Sequence, residues 1–427
     1  MTLMATELAE HPILVVDDEP PNLELIERFL RRKYKKIITA EDGEQALWIL
    51  ETKGIDLILA DQRMPKITGT DLLHTARELQ PEAMRVLITG NGDVETLTAA
   101  INAAQVFQVI TKPIDFKVME MVVQRALEAH EAATREHELF DAFVYASVSA
   151  MEQRDPSTAG HSFRVAMMTT GLAMAVDRVS MGPLTDIRFG RDDVAQIRYA
   201  SLLHDFGKIG VPEEVLVKAR KLPPIRARLL EQRIRHATAQ NRLTEGEADR
   251  LAELLRLLDD PTISSSAHQA EIALLEESGL TEPEDLRYLR IERGSLSAEE
   301  RKEIEAHVLG TIKFLRQIPW PRRFSRVTEI AGAHHEKMNG RGYPYGITDI
   351  PVESRMMTIC DVYDALCASD RPYRVAASHE RAVEILWEMV KLGEVDKDLV
   401  DIFLDRKVFK VLKHRQARYP FWDNARL

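Results

Sequence analysis

Five short apolar runs, each followed by ~10–15 residues of helical pattern, constrain the start of this chain more than any other feature. The runs are Ile13–Val16, Lys36–Thr39, Ile55–Ala60, Arg85–Ile88 and Phe107–Ile110. Each has the length of a buried strand. Strands that alternate with helices form a parallel sheet covered by helices on both faces. Pro20 falls just inside the first helix, where its missing N–H is not needed. The expectation is a five-stranded, doubly wound α/β sheet.

Polar residues close these runs at their carboxyl ends, the edge at which open α/β sheets build their functional crevice. They are Asp17 and Asp18, Asp61, Thr89, and Lys112 followed by Pro113. Three carboxylates converging there suit Mg²⁺, which prefers oxygen ligands. A phosphoryl group placed on one of them can pair with Lys112 and accept a hydrogen bond from Thr89. Together with Met64, Pro65 and Gly69 after Asp61, this order resembles a response-regulator receiver domain, spanning residues 9–116. The resemblance implies that Asp61 accepts a phosphoryl group from a cognate histidine kinase, with Asp17 and Asp18 helping to hold Mg²⁺. One position departs from the pattern. Receivers usually carry an aromatic three residues before the lysine, and here Val109 stands there, with Phe107 on the same strand face.

Residues 117–150 contain neither Gly nor Pro and read as a long connector helix, or two helices in line. Its apolar stripe makes dimerisation through it the expectation.

Beyond residue 155 the histidines fall into distinctive strings. One is Leu203-His204-Asp205-Phe206-Gly207-Lys208. Another is His334-His335-Glu336, followed by Asn339-Gly340-Arg341-Gly342-Tyr343-Pro344. A third is Asp361-Val362-Tyr363-Asp364-Ala365-Leu366, with Arg371-Pro372-Tyr373-Arg374 after it. On a helix, neighbouring side chains diverge by ~100°, so an adjacent pair can serve two different ions. Asp205 can bridge both. Mixed imidazole and carboxylate donors favour Fe, Mn, Zn or Ni over Ca and Mg. Two such ions can activate a water for displacement at phosphorus. Lys208, one turn after His204, can neutralise charge on the phosphate being cleaved. His74, His130, His137, His236, His268, His379 and His414 are expected to carry no chemistry.

These strings resemble the HD-GYP cyclic-dinucleotide phosphodiesterases, over roughly residues 140–405, in a domain expected to span 151–427. The family implies an all-helical fold, a centre of Fe or Mn type, and hydrolysis of cyclic di-GMP to linear pGpG or on to GMP. Matching positions make His161, His204, Asp205, His307, His334, His335 and Asp361 the metal ligands. Asp205 and Lys208 are the expected catalytic pair, and Lys208, Tyr343, Arg371 and Arg374 the substrate contacts. The arginine forks suit phosphate on geometry too. Some members have a Glu four residues before the first His, serving a third metal. Ser157 stands there, so a dinuclear site and accumulation of the linear product are expected. Asn339, where the family often has Asp, should alter loop charge rather than metal binding. Members are thought to meet GGDEF-type cyclases through the Gly340–Pro344 turn.

The family places about thirty residues between the HD pair and the next ligand histidine, and here His204 to His307 is far longer. The surplus, about 222–293, starts basic and ends acidic. It reads either as an interaction arm or as a lid lending arginines to substrate. A capping box at Ser297–Glu300 resumes the regular pattern.

Composition adds limits. The chain has 57 basic and 68 acidic residues, a net charge of −11, which argues against DNA held through bulk charge. No apolar run reaches the ~18 residues of a membrane span. Cys360 and Cys367, seven residues apart on a probable helix, are too distant for a disulfide. With no signal-peptide pattern at the amino end, a cytoplasmic location is expected. Two rivals stay open: a weakly active nucleotide-responsive module, and an enzyme for another cyclic dinucleotide.

Overall fold

All four residues of β1 (Ile13–Val16) are buried, as a strand covered on both faces must be. After it come α1 (Pro20–Leu30), β2 (Ile37–Ala40), α2 (Gly43–Thr52), β3 (Leu57–Asp61), α3 (Gly69–Leu79), β4 (Met84–Gly90), α4 (Thr98–Ala103) and β5 (Gln108–Lys112). The five strands are parallel in the order β2-β1-β3-β4-β5. The order reverses at β1, so the crevice lies beyond the carboxyl ends of β1 and β3. Alternate residues feed opposite layers. Ile13, Val15, Leu57, Leu59, Val86 and Ile88 pack with α1 and the helix that follows β5, whereas Leu14, Val16, Ile58, Ala60 and Leu87 pack with α2 and α3.

This computed structural model describes residues 8–90, 98–154, 160–368 and 376–414. It divides between Ala142 and Phe143 into two compact units. The boundary falls inside α5 (Phe116–Glu152), a single helix of 37 residues where the sequence left one helix or two open. The face of α5 that includes Met119, Val122, Val123, Ala126 and Leu127 is fully buried in the first unit.

The described part of the second unit is helical. It runs α6 (His161–Asp177), α7 (Arg191–Leu203), a 3-10 turn (Phe206–Gly210) and α8 (Glu213–Leu216). Then follow α9 (Pro224–Ala239), α10 (Glu245–Leu258), α11 (Gln269–Glu277), α12 (Pro283–Leu289), α13 (Ala298–Glu305) and α14 (His307–Leu315). The chain continues through α15 (Val327–Gly332), α16 (Val352–Cys367), α17 (His379–Lys391) and α18 (Lys397–Asp405). The capping box opens α13: Ser297 Oγ accepts from the Glu300 amide, and the Glu300 carboxylate accepts from the Ser297 amide at 2.7 Å.

Helices α9 to α12 form the long insertion. They enclose a core of their own, including Leu230, Ile234, Leu251, Leu255, Leu258, Ile272, Leu275 and Leu289. Its basic first half is answered by its acidic second half: Arg226 and Arg233 meet Asp285 at 2.9 and 3.0 Å and also pair with Glu282. The insertion begins and ends at one place, where Ser295 Oγ donates to the Lys218 carbonyl at 2.7 Å and Lys218 Nζ meets Glu300 at 2.7 Å.

Candidate metal centre

Three histidines stand just past a helix end: His204 after α7, His307 after α13 and His334 after α15. The last carbonyls of a helix have no intrahelical partner. Each imidazole supplies one. The Nδ1 atoms lie 2.7 Å from Ser201 O, 2.5 Å from Ile304 O and 2.7 Å from Ala331 O, each three residues back. A carbonyl only accepts, so Nδ1 carries the proton and Nε2 keeps its lone pair. This corrects one expectation. The His-Asp and His-His pairs occupy helix ends rather than a helix face, and the carbonyl bonds fix their ring directions.

The Nε2 atoms of His204, His307 and His334 are buried and have no hydrogen-bond partner. A buried lone pair without a partner needs an explanation. All three rings face Asp205, which is 2% exposed. Asp205 Oδ1 lies 3.2 Å from His307 Nε2 and 4.0 Å from His334 Nε2. Its Oδ2 lies 3.4 Å from His204 Nε2 and 3.8 Å from His161 Nε2. Two donor groups result, Asp205-His307-His334-His335 and His161-His204-Asp205, each with its atoms within 4.8 Å of one another. Asp205 gives one oxygen to each. Asp361 adjoins the second group, its Oδ1 3.1 Å from His161 Nε2 and 3.9 Å from His204 Nε2. Convergent imidazole lone pairs with one shared carboxylate fit two first-row transition ions.

The charges follow from burial and neighbours. Burial keeps His204 and His334 below the usual imidazole range and lowers His335 to about 4. His161 goes the other way. Burial opposes its charge, but hydrogen bonds to Asp361 and Asp364 raise it to about 9. Burial likewise opposes charge on Asp205, yet the Lys208 ammonium, 2.5 Å away, and the imidazoles hold it well below the carboxylate range. Near pH 7 His161 therefore carries an extra proton in the metal-free site, while His204, His334 and His335 are uncharged. Loading metal near pH 7.5 should release the His161 proton, which makes affinity rise by about tenfold per pH unit up to ~9. Calorimetry in buffers of different ionisation heat measures this. Release of three protons would show that the other imidazoles start charged.

Several positioning residues escaped the sequence reading. Asp364, one turn after Asp361 on α16, accepts from His161 Nδ1 at 2.8 Å and is held by Arg164 Nε at 2.7 Å. Its spacing from Asp361 was the available signal. Such outer partners typically contribute 10–100-fold in metal affinity. Asp364→Asn is expected to weaken metal binding by about that factor in a chelator competition; wild-type affinity would remove its assigned part. Thr311 Oγ donates to the His204 carbonyl at 2.9 Å and Thr358 Oγ to that of His334 at 2.6 Å. Neither threonine has a sequence signature.

Glu336 is 1% exposed and accepts the amides of Tyr345 and Ile347 at 2.8 and 3.1 Å, folding the Gly340–Pro344 turn back on the His pair. A Cβ on Gly342 would lie 2.4 Å from Lys337 N, so the backbone passes where no side chain fits. Tyr343 lies over His335, ring centres 4.6 Å apart, and Lys208 is partly exposed beside Asp205. Asn339 donates to the Leu392 carbonyl at 2.9 Å, a bond an aspartate cannot make. Ser157, Arg371 and Arg374 lie outside the described residues.

The first unit brings its own predicted set together. Lys112 Nζ lies 2.5 Å from Asp61 Oδ1 and 3.3 Å from Asp17 Oδ2. Asp17 is further held by the Glu19 amide and Asn22. Burial raises Asp61 above the usual carboxylate range in spite of Lys112. Thr89 is buried in β4 and Asp18 is half-buried beside Asp17. Val109 packs against the core layer of α2 and α3, while Phe107 is exposed.

Known proteins share both halves. The profile described as "Response regulator receiver domain" matches residues 13–124. Two profiles described as "HD domain" match 158–274 and 224–399. A "Probable cyclic di-GMP phosphodiesterase" of Vibrio cholerae is 26% identical over 93% of this chain and 78% of that protein. A "Cyclic di-GMP phosphodiesterase" of Thermotoga maritima is 22% identical over 92% of this chain and 93% of that protein. The "Cyclic di-GMP phosphodiesterase response regulator RpfG" of Xanthomonas campestris is 24% identical over 88% of this chain and 82% of that protein. With an aspartate-lysine pocket in one unit and a histidine-aspartate cage in the other, the chain belongs to the response regulators that join a receiver domain to an HD domain.

Proposed function

We propose that this chain hydrolyses cyclic di-GMP at a dinuclear centre in its second unit, under control of phosphorylation at Asp61. One observation carries the chemistry: Asp205 offers one carboxylate oxygen to each of two histidine groups. The names of the three relatives support the substrate. Two ions bound there, Fe or Mn by the family resemblance and Zn or Ni also compatible, would lower the pKa of a water and offset charge at phosphorus. His161, His204 and Asp361 would hold one, His307, His334 and His335 the other. Lys208 keeps Asp205 anionic and brings an ammonium to the partly exposed side of the cage, where a phosphodiester can pair with it. Tyr343, a neutral phenol held over His335, lines the approach. Arg371 and Arg374 complete the substrate contacts in this reading. In the receiver, Asp17 and Asp18 would hold Mg²⁺ beside Asp61, and a histidine kinase would supply the phosphoryl group.

Further partners belong to the same proposal. Exposed Val118, Met121, Leu139 and Phe143 on α5 support a homodimer. Exposed Tyr345 and Ile347 beside the Gly340–Pro344 turn support contact with GGDEF-type proteins. The arginine pairing inside the insertion favours an interaction arm over a lid. No described helix is long and apolar enough to cross a membrane, and the free thiols of Cys360 and Cys367 suit the reducing cytoplasm.

The test is hydrolysis by the full chain with Mn²⁺ or Fe²⁺ under reducing conditions, with product identification, with and without acetyl phosphate. Linear pGpG should accumulate. Acetyl phosphate should change the rate by roughly fivefold or more, as expected for 1–3 kcal/mol of coupling, and Asp61→Asn should abolish that response. Faster cleavage of another cyclic dinucleotide would overturn the substrate, and efficient GMP formation the product.

A further inference from the structure

A second histidine-carboxylate cluster lies in the receiver unit, at the amino ends of the strands. His11 precedes β1, Asp56 precedes β3, and His130 and Glu131 belong to α5. His11 Nδ1 lies 2.6 Å from Asp56 Oδ2, and His130 Nε2 lies 3.4 Å from Asp56 Oδ1. These three donors fall within 4.8 Å of one another. The far nitrogen of each ring is already held. His130 Nδ1 lies 2.9 Å from the Glu82 carbonyl, and His11 Nε2 lies 3.2 Å from Glu131 Oε1.

Both outer partners only accept, so each outer nitrogen carries a proton. A neutral ring then turns a lone pair toward Asp56. Two lone pairs facing one carboxylate repel it unless something positive lies between. That something is either a second proton on each ring or one dication. Carbonyl and carboxylate anchors on the outer nitrogens are the arrangement that orients histidines toward a metal.

We propose that His11 Nδ1, His130 Nε2 and the Asp56 carboxylate form a site for a divalent ion of Zn²⁺ class. Two imidazoles and a carboxylate match that ion, and a fourth position stays open to water beside the partly exposed Asp56. Tetrahedral bonds of ~2.1 Å put donors roughly 3.4 Å apart, so the His11–Asp56 pair has to widen by less than ~1 Å, and all three donors already lie within 4.8 Å of one another. The ion ties the connector helix to the sheet, at the edge opposite the Asp61 pocket. His130, which sequence alone set aside, gains its role from His11 and Asp56, distant in the chain.

Equilibrium dialysis of the full chain against Zn²⁺, with metal counted per chain, tests this. His11→Gln with His130→Gln should lower the count by one, with Asp61 still phosphorylated by acetyl phosphate as the check on folding. Glu131→Gln keeps all three ligands and should weaken that one ion by about tenfold or more. Wild-type count and affinity in both variants would overturn the proposal and leave a cluster held by protons. Should the double variant fail to take up phosphate, Glu131→Gln and Asp56→Asn decide the matter: reduced zinc affinity supports the site, unchanged affinity overturns it.

Discussion

Asp205→Ala should empty both halves of the second-unit centre at once. Each histidine group keeps its imidazoles but loses the oxygen that faces it, and among the described residues Asp205 alone belongs to both groups. Transition metal held by the second unit should fall from about two ions per chain to nearly none. Turnover of cyclic di-GMP should fall by roughly 10³-fold or more, because several kcal/mol of charge stabilisation disappear and ~1.4 kcal/mol is a factor of ten. Asp205→Asn isolates the charge, since its amide oxygen keeps the shape. Metal analysis and turnover on the same sample measure both effects. Full metal content with normal turnover in either variant would overturn the bridging assignment.

Gly207→Ala should be nearly as damaging, although it removes no ligand. A Cβ at this position would lie 1.8 Å from the His307 carbonyl oxygen and 2.5 Å from the Thr311 amide nitrogen. Those are backbone atoms and have no rotamer to change. The turn after Asp205 must then separate from α14, which carries His307, and both hydrogen bonds through Thr311 Oγ are lost. Overpacking alone typically costs 1–3 kcal/mol, and a backbone clash belongs to the upper tail, ~4 kcal/mol or more. A thermal melt should show the second unit weakened while the receiver transition stays in place. Wild-type melting with wild-type turnover would mean that the two segments part without consequence.

The receiver was legible because its rules are local. Burial on both faces gives continuous apolar runs, and the crevice edge collects the polar residues that end them. The His204-Asp205 and His334-His335 pairs of the cage stood out in the sequence because such adjacent pairs are unusual in an otherwise apolar setting, whereas His161, His307 and Asp361 were singled out through the family resemblance. What stayed hidden depends on contacts between distant segments. Asp364 matters because α16 turns it toward His161, 203 residues away. Thr311 and Thr358 act on backbone carbonyls, and threonine serves that purpose in many helices. The expected helix-face geometry of the pairs failed for a related reason: the carbonyls left unpaired at helix ends supply the anchor. The insertion's basic and acidic halves were visible, but their mutual neutralisation appears only when α9 meets α12.

The closed stem of that insertion, Lys218 against Ser295 and Glu300, bears on how such a chain can change over time. A segment whose two ends already touch is an excursion, and the helices around it register only the stem. Loop-closure entropy grows with the logarithm of length, so lengthening a connection about threefold costs about 1 kcal/mol. With its own core filled and its own charges balanced, the excursion places few demands on the cage. Residues along it are free to drift while the stem and the ligands stay fixed. The same independence makes it a place to graft a reporter or a foreign binding module without rebuilding the catalytic half.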